Sequence, residues 1–244
     1  MKNILTIFKR EIVSYFTHPI AYVVIVVFLF LSLILAFTFG TFLEARDASL
    51  TYSFFLYLPL VLMVLVPAVG MRLWADEQRN GTIELLGTFP ISTRSIILGK
   101  FLAAATVWLV ALALTFPIWV TVNWLGKPDN LTIFAGYLGS FLLCCTFLSI
   151  TLLVSAFTRD QVICLVVSAA ICILLVLGTF EPFVRTYAQM LPEGALASIT
   201  SIGVWDHFMS LARGLFRLQD FMWFGSIIVA SLLGTSAILS AKRA

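Results

Sequence analysis

IAYVVIVVFLFLSLILAFTFGTF, Ile20–Phe42, carries no formal charge along its whole length. A helix needs roughly 20 apolar residues to cross the hydrocarbon of a bilayer. In that medium only a helix or a closed barrel satisfies its own backbone hydrogen bonds. The same reading applies to 52–71, 101–124, 131–157, 161–180 and 221–241, so six spanning helices are predicted. Pro59, Pro67 and Pro117 are expected to kink the second and third of them, and 131–157 is long enough to tilt or bend. Composition agrees. The 244 residues are 61% hydrophobic and 11% charged, where soluble domains are about one quarter charged. A net charge of +3 is too small to suggest a nucleic-acid partner. The expected fold is an all-α membrane protein forming one domain over 1–244.

The 15 basic and 12 acidic side chains all fall outside the predicted spans, which argues against an ion relay of the kind pumps carry. Lys2, Lys9, Arg10, Arg72, Arg79, Arg94, Lys100, Arg159, Lys242 and Arg243 lie on one side. Arg46, Lys127, Arg185, Arg213 and Arg217 lie on the other. The richer side is expected to be cytoplasmic, with both termini there.

Residues 1–19 read as an amphipathic helix lying in the membrane interface, and as retained structure rather than a signal peptide. Ile4, Leu5, Ile7, Phe8, Ile12, Tyr15 and Phe16 share one face, and Lys2, Lys9 and Arg10 the other. Glu11 falls on the apolar side, where a carboxylate needs a partner. Arg10 and Arg79 are the candidates, and a bland surface pair is the alternative. Residues 181–220 are moderately polar, with Pro182 and Pro192. They read as an outer re-entrant helical segment in which Trp205, Phe208, Met209, Leu211, Leu215 and Phe216 seek burial, serving as an exit gate or as a simple cap.

Residues 72–100 form a charged island between two apolar runs. Arg72 and Trp74 are expected at the interface, and Asp76–Arg79 as a charged turn broken by Asn80-Gly81. Thr82 can cap a short helix to Phe89, with Glu84 at its positive end and Pro90 as its stop. Ser92 can cap the next helix, which leads into the third span with Lys100 at its boundary. Ile83, Leu85, Leu86 and Phe89 offer apolar side chains at helical spacing, suited to a groove on another protein or to burial among lipid headgroups. Cys144, Cys145, Cys164 and Cys172 lack metal spacing and read as small packing residues. Asp206-His207 has no third member, so neither an enzyme nor a metal centre is supported.

The pattern Glu77-x-x-x-Gly81-Thr82-x-Glu84-Leu85-Leu86-x-x-x-Pro90-x-Ser92, followed by Gly99-Lys100, resembles the segment after the second span of type-2 ABC transporter permeases. Lys9-Arg10-Glu11 with His18-Pro19 looks like their interfacial helix. Trp205-Asp206-x-Phe208 with Arg213-Gly214 and Asp220 is similar to their outer re-entrant region. Thr17-His18-Pro19-Ile20-Ala21-Tyr22-Val23-Val24 is most similar to the gliding-motility-associated, Gld-type subgroup. The resemblance implies that the 82–89 helix couples to a separate ATP-hydrolysing subunit. These residues hold no GxxxxGK[ST] loop, so ATP and Mg are expected on that partner and no cofactor on this chain. Two permeases and two P-loop ATPase subunits would assemble in a bacterial inner membrane, alongside a membrane protein with a large periplasmic domain. Export is the implied direction. A membrane scaffold anchoring an ATPase, with no substrate crossing, is the rival reading.

Overall fold

The computed structural model describes residues 2–40, 50–79, 81, 92–180, 184 and 203–241. Among these, every regular element is a helix. α1 (Lys2–Thr17) ends where His18 turns extended, and Pro19, at the first position of α2 (Pro19–Ile34), starts the first apolar run. α2 continues as a π turn, Leu35–Phe39. A second π turn, Thr51–Phe55, precedes α3 (Leu58–Gly70). α4 (Arg72–Arg79) follows after one residue. α5 (Thr93–Ala113) and α6 (Phe116–Leu125) are separated at Leu114–Thr115. Pro117 causes that break, because it cannot donate to the preceding turn. Thr115 and Tyr137 exchange hydrogen bonds across it, the Tyr137 hydroxyl donating to the Thr115 carbonyl at 3.2 Å.

α7 (Asn130–Phe157) is the central element. It packs against α3, α5, α8 (Gln161–Leu177), α9 (Val204–Ala212) and α10 (Leu218–Ala241). It is mostly enclosed by them, whereas α2 and α10 turn most of their surface outward, as helices facing lipid do. Gly136 and Gly139 leave room on α7 for the Phe55 ring and the Leu211 side chain. Phe28 of α2 meets Trp108 of α5 edge to face at 5.6 Å, and both are fully buried. All four cysteines are buried and unpaired, as small packing residues should be. Asp129 caps α7, accepting from Leu131 N at 3.0 Å and from Thr132 Oγ1 at 2.9 Å. The Thr132 and Leu131 bonds hold its carboxyl below the usual range. The cap is therefore intact at neutral pH and is lost as pH falls through that lowered value.

Five helical stretches are long and apolar enough to cross a membrane: Pro19–Phe39, Leu58–Arg79, Thr93–Leu125, Asn130–Phe157 and Leu218–Ala241. Six were expected. The stretch read as a span over 161–180 forms a helix of 17 residues that stops at Leu177. At 1.5 Å per residue that is about 26 Å, short of a hydrocarbon core of about 30 Å.

The expected 72–100 loop is largely helical at both ends. Asp76–Arg79, read as a turn, belongs to α4, and α5 begins at Thr93, well before the expected third span. Trp74, read as an interfacial tryptophan, is buried. The restart at α4 explains both. The first N–H groups of a helix lack intrahelical acceptors, and here Ser155 of α7 accepts from Trp74 N at 3.0 Å and Ala75 N at 3.1 Å. Gln78 adds bonds to the Ser155 and Ala156 carbonyls, each at 3.0 Å. α4 is thereby fastened along the end of α7 instead of entering a loop. Ser155→Ala is expected to lower stability by about 1–2 kcal/mol, because two buried donors lose their acceptor. Thermal unfolding in detergent reads this directly, and an unchanged midpoint would refute the cap.

Candidate functional site

The densest cluster of charge among the described residues joins α1, α4 and α5. Lys100, seven residues into α5, is only 3% exposed. A lysine in that position needs acceptors on every side. Its Nζ lies 2.9 Å from Glu77 Oε1 of α4 and 3.5 Å from Glu11 Oε1 of α1. It also donates to the Leu73 carbonyl at 2.8 Å and sits 5.1 Å from the centre of the Trp74 ring. Arg10 closes the cluster, 2.6 Å from Glu11 Oε1 and 3.7 Å from Glu77 Oε1. Two carboxylates from two helices thus share two cations, one buried and one at the rim. The hydrogen bond to Glu11 raises the Arg10 guanidinium above its already high value, burial opposing.

Gly99 makes the geometry attainable. A side chain there would meet Ile7 Cγ2 at 2.8 Å and Ile7 Cβ at 2.9 Å. Its absence lets α1 lie directly on α5, with Ile7 buried between them. The N-terminal helix is therefore packed on α5. Leu5 and Val13 remain exposed. Tyr15 donates to the Val69 carbonyl at 3.4 Å. Burial pushes its phenol well above the usual range, with Glu11 and Asp76 adding to the rise and Arg72 opposing it. Asp76 accepts from Gln161 at the start of α8.

Of the expected site residues, the structure brings together Arg10, Glu11 and Glu77. Lys9 faces outward. Gly81 has φ +69°, a left-handed turn that suits glycine, two residues after α4 ends. Thr82, Ile83, Glu84, Leu85, Leu86, Phe89 and Pro90 lie outside the described residues. Glu11 pairs with Arg10, as one candidate had it, and no pair with Arg79 is present among the described residues. Its other partner, Lys100, was placed at a span boundary by the sequence reading. The apolar setting of Glu11 signalled that a partner exists but did not say which.

Of the expected outer residues, Trp205 and Phe208 are buried in α9, Trp205 against Phe180 at 4.6 Å. Asp206 and Arg213 are exposed and line one open cavity. Gly214, at φ +80°, closes α9. His207 does have a partner, contrary to the sequence reading. Its Nδ1 lies 2.7 Å from Asp220 Oδ1, and its ring stacks on Trp223 at 4.8 Å. Asp220 is buried in the first turn of α10, so the last helix begins inside the acidic residue expected to precede it.

Residues 60–196, more than half of the chain, match the family model described as ABC-2 family transporter protein. The chain belongs to this family. The match begins in α3 and runs through α4, α5, α6, α7 and α8. The protein is thus a multi-pass membrane permease component of an ABC transporter, a family that implies an ABC ATPase partner. No curated protein matches the chain. Within the permease, the Arg10–Glu11–Glu77–Lys100 cluster ties the N-terminal helix to both flanks of the segment 80–92.

Proposed function

We propose that this permease transmits the work of a separate P-loop ATPase to its spans through the segment between α4 and α5, and that it is an exporter. The observation that carries this is the Lys100 cluster. A segment whose two stems are joined by a buried cation, and joined again to α1, moves as one piece with the second and third spans. A push on residues 82–89 would then displace α1, α3 and α5 together instead of being absorbed in a loop. In this reading Thr82 caps a short helix, Ile83, Leu86 and Phe89 enter a groove on the ATPase, and Glu84 pairs with basic groups at its rim. The apolar anchors hold the contact and the charges set its register.

The excess of Lys and Arg on the α1 side supports a cytoplasmic position for this face and for both termini of the chain. The short α8 is taken as a sixth crossing, completed by the residues that follow it. Two permeases and two ATPase subunits, in a bacterial inner membrane, form the working unit, consistent with the closed symmetry common among oligomers. Ile20–Val24 and the residues before them favour the gliding-motility-associated subgroup, and with it a partner bearing a large periplasmic domain. The outer segment around Trp205–Gly214 gates the exit.

Glu84→Arg combined with Leu86→Asp is expected to abolish co-purification of the ATPase and its stimulated turnover, while the permease still inserts. Survival of both would refute coupling through this segment. Substrate-stimulated ATP hydrolysis in liposomes separates an exporter from a scaffold that only anchors the ATPase.

A further inference from the structure

A groove of about 290 Å³ opens between α7 and the kinked stretch Thr93–Leu125. It spans the break that Pro117 makes, with Leu109 and Ala113 on the α5 side and Phe116 and Trp119 on the α6 side. α7 supplies Phe134, Tyr137 and Phe141. Leu109, Ala113, Phe116 and Phe134 are exposed, so the groove faces away from the bundle. The polar groups of its described lining are already used. Trp119 Nε1 donates to Asn130 Oδ1 at 2.8 Å, and the Tyr137 hydroxyl is bonded to Thr115. Neither is left to hold water.

The depth of the groove says what covers it. α7 has 28 residues, about 42 Å, which matches a bilayer with its headgroups. Phe134 is four residues into α7 and Phe141 eleven, about 6 Å and 17 Å along it. With a hydrocarbon core of about 30 Å, the groove starts where the hydrocarbon starts and runs toward the mid-plane. Its walls are set in advance. Trp119 stacks on Tyr137 at 5.7 Å, Phe116 meets Trp119 edge to face at 5.5 Å, and Tyr137 meets Phe55 in the same way at 5.5 Å. A helix about 10 Å across would need roughly 800 Å³ over that length. An acyl chain, no thicker than a side chain, fits.

We propose that the groove holds one acyl chain of a phospholipid from the surrounding leaflet, lying along α7 and wedged at the break between α5 and α6. The chain supplies the packing that the kink removes, since wall atoms facing a void lose their contacts on that side. The site lies toward the opposite end of α5 from Lys100 and does not depend on how the ATPase docks.

The test uses the full chain purified in mild detergent, with native mass spectrometry counting phospholipids and protein copies. Wild type should keep one phospholipid per chain, and a wild type without one overturns the proposal. Ala113→Phe fills the groove from an exposed position without changing charge and should weaken retention about tenfold. The effect is one of packing, because the displaced chain returns to hydrocarbon. Leu109→Trp fills the groove from the α5 side and decides the matter if Ala113→Phe fails to fold. Val120→Phe adds a ring to an exposed position of α6 outside the groove and should retain lipid as wild type does. Retention in Ala113→Phe equal to that of wild type overturns the proposal. Equal loss in Ala113→Phe and Val120→Phe also overturns it, since that marks an unselective belt of lipid. If Ala113→Phe turns paired copies into single ones with the lipid count unmoved, the groove belongs to a second copy and the lipid assignment falls.

Discussion

Lys100→Met is expected to destabilise the permease by about 3 kcal/mol, near the low end of what removing one partner from a buried ion pair costs. The reason is the position of the two carboxylates. Glu11 and Glu77 are each about 15% exposed in their side chains, enough for some water contact but not for full solvation. Without Lys100 the cluster keeps Arg10, a rim residue with a 59% exposed side chain. The loss should appear as a lower unfolding midpoint in detergent and as weaker stimulation of the partner ATPase. Glu11→Gln and Glu77→Gln, added to Lys100→Met, remove the stranded charges and should recover much of the stability while leaving stimulation low. If Lys100→Met alone leaves the midpoint unmoved, the cluster does not hold the junction.

Gly99→Val is expected to act on the same junction through shape. The added Cβ would fall 2.8–2.9 Å from Ile7 and 3.3 Å from the Ile4 carbonyl, closer than packed atoms tolerate. Overpacking of this kind costs about 1–3 kcal/mol, and the helix yields more easily than the bundle because α1 has an exposed outer face at Leu5 and Val13. α1 should therefore lift from α5, and limited proteolysis should cut it sooner than in wild type. Ile7→Ala makes room for the new methyl groups, so the double variant should regain protection. A double variant cut as fast as Gly99→Val would place the fault elsewhere, since the valine by itself improves helix propensity over glycine.

Much of the architecture was legible in the residues because it follows from solvation. Uncharged runs of about 20 residues have few stable options other than membrane helices. Pro19, Pro117 and Gly81 stand where helices start, break or end for local steric reasons. The apolar setting of Glu11 pointed to a partner. The readings that failed share one cause. Asp76–Arg79 has the composition of a turn, yet Ser155 and Gln78 bind α4 to a helix more than 75 residues away in the chain. His207 found Asp220 thirteen residues on, across the junction of α9 and α10.

By itself, then, the sequence determined that this is a helical membrane protein and where its charges gather. Those properties depend on local composition and on the cost of placing charge in hydrocarbon. Only the tertiary structure decided that Lys100 is buried between Glu11 and Glu77, and that Gly99 seats α1 on α5. These depend on which helix faces touch, and side-chain type alone does not encode the partner across a helix interface.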